Sequence, residues 1–348
     1  MIESAYLPYI WAGLLTIAVF MYVLLDGFDL GIGILFPFAH KDEDRDLMMG
    51  AVAPVWDGNE TWLVLGGGGL FAAFPRAYAA LMPSIYMPLG FMLIALIFRG
   101  VAFEFRFSSS GVQRRVWDQA FHWGSIVAAF SQGLILGTLV QGIELTDGRF
   151  SGGMYDWLTP FSFFTGCALV WGYALLGSTF LVIKTENELL NWSRKLSVAT
   201  LVMVTLCLVI VSLWVPLLDV TAADHWGIHY PHIDWSRLLP LSPVPLLTAI
   251  AVWKLFRSLL VEFTDTRTLY KPFVLAVLIF ALAYAGLLIS FYPYLVPYSL
   301  TIRDAAAAAE SQGFLLVGAL ILLPVILGYT GYVYWVFRGK VDPHAGYH

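Results

Sequence analysis

The sequence predicts an all-α polytopic membrane protein of nine transmembrane helices, two four-helix bundles plus one peripheral helix. Three observations point there. The 348 residues are 59% hydrophobic and only 12% charged, with a mean hydropathy of +0.76, whereas soluble domains carry roughly 25% charged residues. Nine apolar segments approach the ~20 residues that span a bilayer. The connections between them are mostly short, as in antiparallel bundles.

The segments are 7–37, 50–73, 77–105, 117–144, 158–184, 191–216, 239–263, 270–294 and 311–338. The first follows an acidic start (Glu3) with no basic region and no A-x-A cleavage site, so it is expected to stay as a helix rather than be removed as a signal peptide. The second is the weakest, because it carries Asp57, Glu60 and the run Gly66, Gly67, Gly68 and Gly69. It is predicted to be short or partly unwound. Near the ends of the others stand Trp11, Trp157, Trp192, Trp214, Trp253 and Trp335, an interfacial aromatic belt. Pro293, Pro297 and Pro324 are expected to kink or end the last two helices. Cys167 and Cys207 fall inside apolar segments and read as small packing residues. No linker or repeat divides residues 1–348, so they read as a single membrane domain.

Charge placement sets the orientation. With the N-terminus outside, the inward regions 38–49, 106–116, 184–195, 254–271 and the tail after 337 hold fourteen of the nineteen Lys and Arg residues. The outward regions hold four: Arg76, Arg149, Arg237 and Arg303. The positive-inside rule favours this arrangement, with the C-terminus inside. The remaining cation, Arg99, lies within the third segment.

Arg99 has company at its depth. At 1.5 Å per residue, Asp29 and Asp26 lie about 12 and 16 Å from the inner end of the first segment, Asp57 roughly 10 Å into the second, and Arg99 about 9 Å from the end of the third. Glu104 follows five residues later, with Arg106 close by. Asp26/Asp29 and Asp57/Glu60 are i,i+3 pairs, so each shares a helix face. Intramembrane charges are costly, and they mark ion or proton routes when they are not simply locking helices together. The cations cannot neutralise five carboxylates, so part of the set is expected to hold protons at neutral pH, as a proton relay requires. Arg99 and Glu104 read as charge partners, and Asp57, Glu60, Asp26 and Asp29 as the route.

Gly27 and Gly31 have the four-residue spacing that lets membrane helices approach closely. The glycines 66–69, with Trp56 at the start of the same motif, read as a face for a partner helix from this chain or another subunit. No lysine-bearing phosphate loop accompanies them, which argues against nucleotide binding. Six of seven histidines (His40, His225, His229, His232, His344 and His348) fall in loops or the tail, and only His122 falls in a helix. Axial haem ligands at membrane depth are therefore not expected. The outer-loop trio His225, His229 and His232 reads as a solvated polar loop rather than a metal site. No catalytic residue, no metal ligand and no nucleic-acid surface is predicted.

Four stretches are familiar together: Asp26-Gly-Phe-Asp-Leu-Gly-Ile-Gly33, Ala53-Pro-Val-Trp-Asp-Gly-Asn-Glu-Thr-Trp-Leu63, Gly68-Gly-Leu-Phe-Ala-Ala-Phe-Pro75 and Phe98-Arg-Gly-Val-Ala-Phe-Glu-Phe-Arg106. In order and spacing they resemble subunit II of the cytochrome bd-type quinol oxidases. Pro297-Tyr-Ser-Leu-Thr-Ile302 looks like the family's segment before its last helix, although Arg303 stands where Trp is frequent and 305–309 are all Ala. The Asn59-Glu60 pairing and the short loops look more like the cyanide-insensitive branch.

The resemblance implies a terminal oxidase of the bacterial cytoplasmic (inner) membrane that oxidises quinol and reduces dioxygen to water. It places the haems, b and d or b alone, in a partner subunit I, with none ligated by this chain. It adds a heterodimeric assembly, small single-helix accessory subunits in some members, and a structural quinone in subunit II of some members. The carboxylate matching Asp57 lines a proton route from the cytoplasm, with Asp26, Asp29 and Arg99 beside it. Two other readings use the same residues: a purely structural partner of the haem subunit, and a proton-coupled secondary transporter. A transporter predicts interrupted helices in matching positions of both halves, whereas here the charges crowd into segments one to three.

Overall fold

The structure is a computed structural model that describes residues 4–218, 220–229 and 232–341. Its helices are α1 (Leu7–Leu35), α2 (Asp42–Val52), α3 (Trp56–Ala73), α4 (Pro75–Phe107), α5 (Gly111–Gln141), α6 (Pro160–Lys184), α7 (Asn187–Trp214), α8 (Val220–Trp226), α9 (Trp235–Leu241), α10 (Pro243–Leu260), α11 (Thr266–Phe291), α12 (Ile302–Ala305) and α13 (Ala309–Val336). Short antiparallel hairpins sit in three connections, Leu145–Thr146 with Arg149–Phe150, Ile228–His229 with His232–Ile233, and Tyr294–Val296 with Leu300–Thr301.

Among the described residues, eight helices are long and apolar enough to cross a membrane. The difference from the nine segments of the sequence is α3, whose eighteen residues include Asp57, Asn59, Glu60 and five glycines. The segment 50–73 is also not one helix. It breaks at Ala53–Val55, between α2 and α3. Pro54 explains the break, since it has no N–H to donate and restricts the residue before it.

α1, α3, α4 and α5 pack in a ring, as do α6, α7, α10 and α11. α6 packs against α1 and α5 and so joins the two groups. The core centres on that seam, where Phe28, Leu30, Ile32, Phe121, Tyr173, Leu175 and Leu176 are all buried. Lipid tails are as apolar as leucine, so close packing rather than water exclusion holds such helices together. Gly31 shows how: a Cβ there would overlap the Tyr173 carbonyl, and one on Gly177 would meet the Gly31 backbone. Gly33 approaches Ser125 of α5 in the same way.

α13 lies outside both groups, against α1 and α3. It is pinned to the far end of α3 by Gln312, which donates to the Ala73 carbonyl at 2.9 Å, while Trp11 of α1 donates to the Gln312 carbonyl at 3.0 Å. After α13 the chain latches onto the end of α6. The Val341 amide donates to the Lys184 carbonyl (3.0 Å), Lys340 Nζ to the Thr185 carbonyl (2.6 Å), and Lys184 Nζ to the Phe337 carbonyl.

Candidate functional site: a buried carboxylate cluster on one arginine

The site is built where α1, α3 and α4 meet. Asp26 and Asp29, one turn apart on α1, are fully buried. Arg99 of α4 is fully buried beside them, donates from Nη1 to Asp26 Oδ1 at 2.5 Å and to Glu60 Oε1 of α3 at 3.2 Å, and places Nη2 3.7 Å from Asp29 Oδ2. Three carboxyl groups thus share one guanidinium, leaving two negative charges in excess if all three ionise. Leaving a buried charge unpaired is costly. Asp26 Oδ2 and Asp29 Oδ1 have no protein hydrogen-bond partner.

A neutral residue completes the cluster. Asn59 Nδ2 donates to Asp29 Oδ2 (2.7 Å) and to the Leu25 carbonyl (3.2 Å), and Asn59 Oδ1 accepts from the Tyr334 hydroxyl of α13 (2.9 Å). On the other side Tyr22, one turn from Asp26, accepts from Gln132 of α5 at 2.8 Å. Tyr173 of α6 donates to Gln132 Oε1 at 2.6 Å. Polar side chains of six helices, α1, α3, α4, α5, α6 and α13, therefore gather here.

The structure separates residues that depth alone had grouped. Glu60, with 26% of its side chain exposed, is in the cluster. Asp57 is exposed and stands in the first turn of α3 rather than deep inside a helix, because that helix begins at Trp56. Glu104 is a correction. At 100° per residue its five-residue offset turns it some 140° away from Arg99, and it is exposed rather than paired with that cation.

Arg106, two turns below Arg99 and so on the same face, is fully buried and heads a second ion cluster that reaches the surface. Its Nε meets Asp118 of α5 at 2.5 Å and its Nη1 meets Asp46 of α2 at 2.6 Å, with Arg114 also on Asp46. Two cations face two carboxylates, so this cluster balances. Phe103 lies between the two arginines on α4. It stacks on Trp56, with centroids 4.9 Å apart, and lies under the Arg99 guanidinium.

Among the glycines, Gly27 and Gly31 face α6. Gly66 and Gly69 face Val19 and Leu15 of α1, while Gly67 and Gly68 meet nothing within 4 Å in this chain. Sequence reading missed the roles of Asn59, Asp46, Asp118 and Tyr334. Asp118 had a usable signal, an acid in the second turn of an apolar helix opposite Arg106. Asp46, in a polar segment, had none.

His122 Nδ1 lies 3.0 Å from the Gly33 carbonyl and His225 Nδ1 lies 3.1 Å from the Ser290 carbonyl. Among the described residues, no group of three or more His, Cys, Asp or Glu side chains is placed to hold a metal ion. The His229 side chain, His344 and His348 lie outside the described part, as does Glu3.

Comparison with known proteins matches this arrangement to one family. The family model for cytochrome bd terminal oxidase subunit II matches residues 7–337. Cytochrome bd-I ubiquinol oxidase subunit 2 of Escherichia coli (strain K12) is 28% identical, covering 98% of this chain and 97% of that one. Cytochrome bd ubiquinol oxidase subunit 2 of Bacillus subtilis (strain 168) is 27% identical, covering 96% of each. The solved bd oxidase of Geobacillus thermodenitrificans contains a chain of the same fold, with a TM-score of 0.73 at 18% identity over 95% of this chain and 98% of that one. The chain is a multi-pass membrane protein and belongs to the cytochrome bd terminal oxidase subunit II family.

Proposed function

We propose that this chain is subunit II of a quinol oxidase of the bacterial cytoplasmic membrane. It pairs with a haem-bearing subunit I and carries cytoplasmic protons toward it. In this reading α3 joins the eight apolar helices as a ninth crossing, the N-terminus lies outside and the C-terminus inside. The partner's haem supplies the oxygen chemistry, in which two quinols give four electrons and dioxygen takes four protons to become two waters.

This chain's residues handle protons. Asp57, exposed at the inner start of α3, collects a proton from the cytoplasm. Glu60 lies one turn deeper, about 4.5 Å along the axis, and shares Arg99 Nη1 with Asp26. Arg99 balances one negative charge of the three carboxyl groups. A second and third can remain there only by holding a proton or reaching solvent, so the cluster exchanges protons rather than fixing charge. The Arg106 cluster, being balanced, anchors α2, α4 and α5 below it.

The observation that carries the proposal is the convergence of Asp26, Asp29 and Glu60 on the single buried Arg99. Asp57→Asn in the assembled oxidase is expected to slow oxygen reduction while the haem spectrum stays intact. Full activity in that variant would leave the chain as a structural partner of the haem subunit.

A further inference from the structure

α13 presents an outward face almost everywhere. Tyr329, Tyr332 and Trp335 near its inner end are each at least 60% exposed, yet Tyr334 turns inward. Its ring packs edge-on to Phe28 with centroids 6.4 Å apart, and its hydroxyl donates to Asn59 Oδ1 at 2.9 Å. Asn59 is 1% exposed, and both protons of its amide are used, one on the Leu25 carbonyl and one on Asp29 Oδ2.

This pattern fixes which way the amide faces. An amide has one acceptor oxygen and one donor nitrogen, and swapping them would set the oxygen against the acceptor-only Leu25 carbonyl and against Asp29 Oδ2. The Leu25 carbonyl turns the N–H side toward Asp29, the arrangement that receives an ionised carboxylate, and the Tyr334 hydroxyl donates to the oxygen, which holds the amide there and polarises its N–H groups. Flipped, the amide oxygen would face Asp29 Oδ2 and would need a proton on that carboxyl. The tail latch keeps the tyrosine in place, because Lys340 and Val341 hold the end of α13 against α6.

We propose that Tyr334 is a positioning residue for proton transfer, holding the Asn59 amide so that Asp29 can give up its proton as well as take one. The inference rests on the relay reading above. The groups that face Asp29 are Asp26 from α1, Asn59 and Glu60 from α3, Arg99 from α4 and Tyr334 from α13. All of them except the Tyr334 hydroxyl are unchanged by Tyr334→Phe, which also keeps the ring against Phe28.

The test compares Tyr334→Phe, Asp29→Asn and Asp57→Asn in the assembled oxidase. The readouts are haem content, oxygen-consumption turnover, its pH profile and its solvent deuterium isotope effect. One neutral hydrogen bond corresponds to about a three- to tenfold change in rate. Tyr334→Phe is therefore expected to keep haem content and lower turnover by that factor. It should also move the alkaline limb of the profile to higher pH and enlarge the isotope effect. A wild-type rate and profile in Tyr334→Phe, with Asp29→Asn slow, overturns the positioning role and leaves the relay standing. Wild-type rates in Asp29→Asn and Asp57→Asn overturn the relay itself. Loss of the haem-bearing complex in Tyr334→Phe also overturns the positioning role, since the contact would then be a structural tie.

Discussion

Replacing Arg99 with glutamine removes the one positive charge among three carboxyl groups while keeping a polar side chain of similar length. Asp26 and Asp29 are fully buried, whereas Glu60 keeps 26% of its side chain exposed. The charge Arg99 balanced must therefore be cancelled by a proton on one buried aspartate. Holding a proton on a carboxyl of ordinary pKa near 3.9 at pH 7 costs about 4 kcal/mol, at 1.36 kcal/mol per pH unit. That matches the roughly 3–5 kcal/mol lost when one partner of a buried pair is removed.

The sign follows from proton counting. The folded variant binds one proton more than its unfolded chain, so its stability falls as pH rises. The deficit against wild type should shrink to about 2 kcal/mol at pH 5.5. In Arg99→Gln/Asp26→Asn the surplus carboxylate is gone, and most of the lost stability should be regained. The assay is thermal stability of the purified complex at pH 5.5 and 7, followed by haem absorbance. A deficit equal at both pH values, or a double variant no more stable than the single one, would refute the charge-balance reasoning.

Other outcomes follow from the same structure. Gly31→Leu should abolish the α1–α6 crossing, because even a Cβ overlaps the Tyr173 carbonyl, and it should be read as loss of assembled oxidase. Gly67→Ala, whose Cβ would meet nothing within 4 Å of this chain, should leave the isolated subunit unaffected, so any loss of complex yield there reports a neighbouring chain on α3. Asp265 caps α11 by accepting from the Thr268 amide and the Thr268 hydroxyl, each at 2.8 Å, and these hydrogen bonds hold its carboxyl below the usual range. Its contribution is thus complete above the ordinary aspartate value and is lost as pH falls through the lower folded one. Asp265→Ala should speed amide exchange at residues 266–270 at neutral pH, and equal exchange in both proteins would count against the cap.

Much of the fold is legible in the chain itself. Hydropathy marks an all-α chain, with eight helices long and apolar enough to cross a membrane among the described residues, and Arg99, the one cation inside an apolar segment, points to the neighbourhood of the carboxylate cluster. Helical rise converts residue number to depth, which is why Asp26, Asp29, Asp57, Glu60 and Glu104 group with Arg99 in the sequence. Rise says nothing about rotation between helices. Helical periodicity within α4 already turns Glu104 away from Arg99, but only packing put Arg106 onto Asp118 and Asp46 and brought Tyr334 of the last helix to Asn59 across 275 residues of sequence.

Asp57 shows the division most plainly. Its residue type and its place in Trp56-Asp57-Gly58-Asn59-Glu60 are sequence facts, and Pro54 was a readable warning that the helix stops before it. Whether the carboxylate ends inside the bundle or at its surface depends on where α3 restarts and which face α1 covers. Tertiary packing decided that, leaving Asp57 exposed in the first turn of α3 and Glu60 within reach of Arg99. The sequence alone determined which charges sit at membrane depth, because burying them is costly enough to constrain composition. The structure decided which of them meet, because a hydrogen bond depends on ångströms that helix periodicity does not specify.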